Sequence, residues 1–168
     1  MIFSDRSELV NVVRELKTRA KTVGLAGGVF DILHIGHIRY LAYAKSLCDF
    51  LVVAVNSDAS VNKFKGPDRP ITPESERLEI IDSIKYVDAC FLFNEINQFE
   101  NLRLLEPTIF VKGGDYTVDK LVELDGLDKL LVKPIISICN LVEGKSTSKL
   151  IEQIKTNKKN SDNDRQFE

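Results

Sequence analysis

One run constrains the fold more than any other. Phe50-Leu51-Val52-Val53-Ala54-Val55 is apolar at every position and stops at Asn56-Ser57-Asp58. A strand without polar alternation has no solvent face, so it belongs inside a sheet covered on both sides, the setting of parallel strands joined by helical crossovers. Similar short runs recur at Val23-Gly24-Leu25-Ala26, Ala89-Cys90-Phe91-Leu92-Phe93, Thr108-Ile109-Phe110-Val111 and Ile135-Ile136-Ser137-Ile138. Helical spacing lies between them. Leu9, Val12, Val13 and Leu16 predict an amphipathic helix within residues 1–20, and further helices are expected at about 36–47, 98–105, 118–130 and 146–155. Residues 63–73 hold two lysines, one arginine, one glycine and three prolines, which predicts a loop. Thr72-Pro73-Glu74 then reads as a helix start, with Thr72 as its cap. The expected fold class is α/β: a Rossmann-like sheet of five parallel strands with helices on both faces. It occupies residues 21–155, after an N-terminal helix in 1–20 and before a polar tail, 156–168, expected to be disordered.

Composition narrows the partners. The net charge of −2 argues against nucleic acid as the main partner. Cys48, Cys90 and Cys139 are scattered, so neither a disulfide framework nor a zinc pattern is present. No run approaches the roughly 20 apolar residues that span a bilayer, and no signal peptide is expected at Met1-Ile2-Phe3-Ser4-Asp5-Arg6, which has no apolar run after a basic start. The expectation is a cytoplasmic protein with no membrane partner, and a homodimer is left open.

In open parallel sheets, ligands bind beyond the carboxyl ends of the strands. Here Gly27, Gly28, Asp31, His34 and His37 follow the first strand, Asn56, Asp58, Lys63, Lys65 and Arg69 follow the second, and Lys112, Gly113, Gly114 and Asp115 follow the fourth. Gly144, Lys145, Ser146 and Thr147 follow the fifth. Glycines allow close backbone approach, helix starts present N–H groups to anions, and lysines neutralise charge, so this edge suits phosphates. His34 and His37, the only two histidines, lie three apart at a helix start, with both rings on one face. Such a pair alone is more often an ordinary exposed one; the glycines and cations of the same edge favour a phosphate site. Gly144-Lys145-Ser146-Thr147 is not a Walker A loop, because Cys139 stands where its first glycine belongs.

The segment Gly28-Val29-Phe30-Asp31-Ile32-Leu33-His34-Ile35-Gly36-His37 resembles the signature of the cytidylyltransferase-like nucleotidylyltransferases, with its His-x-Gly-His hallmark. Asn56-Ser57-Asp58, Lys65-Gly66-Pro67, Arg69-Pro70-Ile71, Glu76-Arg77, Val87-Asp88, Val111-Lys112-Gly113-Gly114-Asp115-Tyr116 and Glu143-Gly144-Lys145-Ser146-Thr147 follow in family order. The ordered set resembles the adenylyltransferases of ADP-heptose synthesis over about residues 21–155. The resemblance implies transfer of a nucleotidyl group from ATP to a sugar 1-phosphate with release of pyrophosphate. It implies that His34, His37 and Lys65 are catalytic. It places Gly28, Val29, Phe30, Asp31, Lys112, Gly113, Asp115, Ser146 and Thr147 on the nucleotide, and Lys65, Arg69 and Arg77 on the acceptor phosphate. Magnesium (Mg2+) would bridge the phosphates without a side-chain ligand.

Other readings differ in identifiable residues. Cytidylyltransferases acting on glycerol phosphate resemble one another in an arginine that is Leu141 here, which lowers the CTP reading. An FAD synthetase is a further alternative, less favoured because of Lys112-Gly113-Gly114-Asp115-Tyr116. A non-catalytic nucleotide-binding module would need neither the histidines nor the cations, and this chain keeps both. The stretch Leu127-Asp128-Lys129-Leu130-Leu131-Val132 replaces a glycine pair of the heptose enzymes, and Lys145 and Ser148 also depart from their pattern.

Overall fold

The computed structural model describes residues 1–139, 147, 150–154 and 156. Its elements are β1 (Ile2–Phe3), α1 (Arg6–Thr18), β2 (Val23–Gly28), α2 (Ile35–Ser46), β3 (Phe50–Asn56), α3 (Asp58–Lys65), α4 (Glu74–Asp82), β4 (Ala89–Phe93), α5 (Phe99–Leu105), β5 (Ile109–Gly113), α6 (Val118–Asp125) and β6 (Ile135–Cys139). Among the described residues the sheet runs β1-β4-β3-β2-β5-β6, and every pair is parallel. The apolar run in β3 is explained by its place. Leu51 to Val55 are fully buried in the sheet interior between two helical layers. On one face Leu41 and Ala44 of α2 and Leu78 and Ile81 of α4 pack on Val53, Val55 and Val111. On the other, Leu9 and Val13 of α1, Leu102 and Leu105 of α5 and Leu121 of α6 pack on Leu25, Val52, Phe91 and Phe110. No helix among the described residues is long and apolar enough to cross a membrane.

The sheet has six strands rather than five. Ile2–Phe3, expected within the first helix, pairs with β4 instead (Ile2 with Cys90, Phe3 with Phe91). Two residues are too few to show a period, and α1 starts only where the Asp5 carboxylate accepts from Ser7 N–H at 2.8 Å. Residues 63–65 also belong to a helix, not a loop, because the Ser57 hydroxyl caps α3 and carries the chain to Lys65. Thr72 does not cap α4. Pro73 holds that position without a side-chain bond, while Thr72 N–H donates to Asp31 at 3.0 Å. The helix expected at 118–130 stops at Asp125, because Gly126 turns left-handed at φ +62°.

The chain winds outward from β2 through β3 and β4, then crosses back to lay β5 and β6 on the other side. The reversal lies between β2 and β5, the point at which open sheets hold their ligands. Pairing of β2 with β5 ends at Ala26 and Val111, although β2 stays on β3 as far as Gly28. Beyond that level the two strands part. The buried Tyr40 hydroxyl fills the gap. It accepts from Gly27 N–H at 3.2 Å and donates to Val111 C=O at 2.8 Å.

Candidate active site at the β2–β5 switch

A cleft of about 490 Å³ opens above this gap. Gly28, Val29, Phe30, Asp31, His37, Lys65, Lys112, Gly113 and Thr147 all line it, so three separated strand ends and α2 deliver the expected residues to one place. His34 stands just behind, its ring stacked on that of His37 with centroids 3.9 Å apart. Asp115 is exposed and does not line the cleft. Ser146 lies outside the described residues. The helix expected at 146–155 is represented by helical residues 147, 150–154 and 156.

The histidines form a reciprocal cap at the start of α2. His34 Nδ1 accepts from Gly36 N–H at 3.1 Å, and His37 Nδ1 accepts from His34 N–H at 3.3 Å. A neutral imidazole whose Nδ1 accepts must carry its proton on Nε2. Burial, then the charges of His34 and Lys65, lower the His37 pKa from 6.5 to about 4. His37 is therefore a neutral Nε2–H donor at physiological pH. Phe30 supports its ring edge-on at 5.5 Å and stacks on Tyr40 at 6.4 Å. Phe30 stands at φ +54° and Ile32 at φ +48°, a region that such side chains rarely adopt.

Asp31 is a buried knot rather than an open ligand. Its carboxylate accepts from Arg69 Nε at 2.8 Å, Ile71 N–H at 3.1 Å and Thr72 N–H at 3.0 Å. Burial raises its pKa, but these bonds and the Arg69 charge outweigh that and hold it below the usual value. Arg69 Nη2 also lies 2.7 Å from Asp31, yet off the hydrogen-bond axis, so it is an ion-pair contact that leaves a buried donor without an acceptor. Thr147 donates its hydroxyl to Asp31 C=O at 2.6 Å. Lys65 points its charge at the same cleft. Loss of water around the ammonium and then the Arg69 charge lower its pKa, although the residue as a whole is exposed.

Arg77 occupies another position from the one expected. It is 1% exposed. Its guanidinium donates to Thr72 C=O at 2.9 Å, Asn56 C=O at 2.7 Å, Asp58 at 2.8 Å and Val29 C=O. Those donors tie α4 to the ends of β2 and β3, so Arg77 braces the cleft from behind.

Among the cleft residues, the sequence reading missed Gln98, Asn97, Ile96 and Asp125. Asp125 is buried, accepts from Gln98 N–H at 2.8 Å and pairs with Lys112 at 3.4 Å. Lys112 also lies over the Phe110 and Tyr116 rings, 5.8 and 5.4 Å from their centroids. These residues come from the loop before α5 and from the end of α6, where no motif marks them.

A family description, cytidylyltransferase-like, matches residues 25–159. The "Bifunctional protein HldE" of a Nitratiruptor species is 39% identical over 152 residues, 90% of this chain and 32% of that protein. The protein of the same name from Syntrophotalea carbinolica is 40% identical over 149 residues, 89% of this chain and 30% of that protein. The chain thus spans about a third of the length of these curated relatives. Among solved structures, a lipopolysaccharide core biosynthesis protein from Thermoplasma volcanium GSS1 aligns with a TM-score of 0.61 at 33% identity, over 74% of this chain and 99% of that chain. A pantoate-beta-alanine ligase from Francisella tularensis shares the fold alone, with a TM-score of 0.61 at 16% identity over 88% of this chain and 69% of that chain. The match begins inside β2 and runs through every strand end that lines the cleft, and the chain belongs to the cytidylyltransferase-like family of nucleotidyltransferases.

Proposed function

We propose that the chain transfers an adenylyl group from ATP to a sugar 1-phosphate, heptose 1-phosphate being the favoured acceptor, to give an ADP-sugar and pyrophosphate. The observation that carries this reading is the convergence of His37, its Nδ1 held by His34 N–H, with Lys65, Lys112 and the glycine ends of β2 and β5 on one cleft. In this reading an acceptor phosphate oxygen forms a bond to the α-phosphorus. The bond from that phosphorus to the α,β-bridging oxygen breaks, and the electron pair leaves with pyrophosphate. A sugar phosphate is largely dianionic above its second pKa of about 6, so the attack needs no general base. The work left to the protein is positioning and charge stabilisation, which neutral donors and lysines supply. Among the described residues no group of three or more His, Cys, Asp or Glu gathers as a metal cluster, and Asp31 and Asp125 are already occupied by donors. Magnesium would enter with the ATP substrate and would help Lys65 and Lys112 neutralise the triphosphate charge.

A sugar acceptor is supported by the description of the Thermoplasma volcanium protein as one of lipopolysaccharide core biosynthesis. Pyrophosphate release tests the proposal, with ATP and CTP each offered against heptose 1-phosphate, glycerol 3-phosphate and FMN. Release with ATP and the sugar phosphate is expected. Release only with CTP and glycerol 3-phosphate, or only with FMN, would replace it with one of the other family chemistries.

A further inference from the structure

Gln98 is only 3% exposed, yet it borders the cleft. Its amide is oriented by a relay. Arg6 Nη1 donates to Asn101 Oδ1 at 2.6 Å, which turns Asn101 Nδ2 toward Gln98 Oε1 at 2.9 Å. With its oxygen taken, Gln98 has its Nε2 on the cleft side, over Gly27. A Cβ on Gly27 would stand 2.4 Å from that nitrogen, so only glycine leaves room for it. Nε2 has no hydrogen-bond acceptor among the described residues. Nε2 is not among the buried unpartnered atoms, so it opens onto the cleft as an oriented donor available to a bound group.

The surroundings say what that is. The Asp125 carboxylate accepts from Gln98 N–H, and Lys112 lies 3.4 Å from it. The Asp125 carboxylate offsets the Lys112 charge, so this wall is less cationic than the one at His37 and Lys65. Gln98 Nε2 and Lys112 instead present two donors along one wall, with the buried Asp125 carboxylate held behind them. Each hydroxyl of a sugar both donates and accepts, and a row of them satisfies such a wall.

We infer that Gln98 is a specificity-determining residue that donates from Nε2 to a hydroxyl of the acceptor sugar. The inference rests on the proposed reaction. Sugar hydroxyls could also come from the ribose of ATP, and the kinetics separate the two. Gln98→Glu keeps the oxygen that Asn101 needs and replaces the cleft donor with an acceptor. The expected result is a KM for the sugar 1-phosphate raised about tenfold or more, with the KM for ATP unchanged. Gln98→Met, which adds no charge beside Asp125, must show the same split. A raised KM for ATP with that of the acceptor unchanged overturns the inference, as does no change in either. Wild-type protein that releases no pyrophosphate with any sugar 1-phosphate overturns the reaction and the inference together. Wild-type release with an unaltered acceptor KM in the variants overturns the inference alone.

Discussion

Lowering the pH should unfold this protein by a route that passes through His37. Its pKa is about 4 in the folded chain, against an ordinary value of 6.5. Between those values the unfolded chain takes up a proton that the folded chain refuses, so stability falls as pH drops from 6.5 to about 4 and is unaffected by His37 outside that window. A tenfold change in proton affinity corresponds to about 1.4 kcal/mol, so the fall from 6.5 to about 4 has a ceiling of about 3 kcal/mol, of which about 2.5 kcal/mol is lost by about pH 4.5. The right comparison is His37→Asn, which keeps a side-chain oxygen able to accept from His34 N–H but cannot titrate. Urea unfolding of both proteins at about pH 7 and pH 4.5 gives four stabilities, and carboxylates common to the two cancel in the double difference. The wild type should lose about 2 to 3 kcal/mol more than the variant over that interval. Equal losses, or a wild type that loses less, would refute the assignment of His37 as a buried neutral imidazole.

His34→Ala and His37→Ala should each lower kcat about 100- to 1,000-fold, the usual cost of removing one preorganised donor, while circular dichroism stays native. Asp31→Ala strands Arg69 and frees residues 69–72, and it should cost about 3 to 5 kcal/mol in chemical denaturation. The lowered Asp31 pKa adds a sign: its stabilisation is complete above the ordinary carboxylate value and is lost as pH falls through the depressed one, so Asp31→Asn should flatten that acid limb. Tyr40→Phe leaves Gly27 N–H and Val111 C=O unpaired at the strand gap, which should cost about 1 to 3 kcal/mol by urea titration. Arg77→Met should destabilise the fold by a similar or larger amount and raise the KM of both substrates alike, because it loosens the wall of the cleft rather than a ligand contact.

Much of the architecture was legible because it rests on patterns the chain cannot hide. An unbroken apolar strand such as residues 50–55 requires cover on both faces, and the glycines and histidines after β2 announce a tight, anion-facing turn. The edge strand Ile2–Phe3 carried no such signal, since pairing with Cys90 and Phe91 depends on tertiary contact and not on period. Residues 63–65 were hidden for a related reason. The prolines beginning at Pro67 marked a loop, but the Ser57 cap that extends α3 into it lies six residues upstream of Lys63. Within the site, Lys65 and Lys112 could be listed from their place after strands, whereas the burial of Arg77 could not, because a charged residue in a charged helix looks exposed. Gln98 was invisible for the strongest reason. Its significance depends on Gly27, Asn101 and Arg6, which are separated in the chain and meet around it only once folded.

The Asp31 knot bears on how this enzyme could be re-engineered. Residues 69–72 hang on its carboxylate, and Thr147 hangs on its carbonyl. A segment carrying Lys65 and Arg69 therefore cannot be transplanted from a relative as a self-contained module. Its anchor lies in a different part of the chain, and so does the helical residue that shares it. A workable chimera would have to exchange the turn after β2, residues 65–72 and the region around 147 as one set, and selection on this scaffold would meet the same linkage.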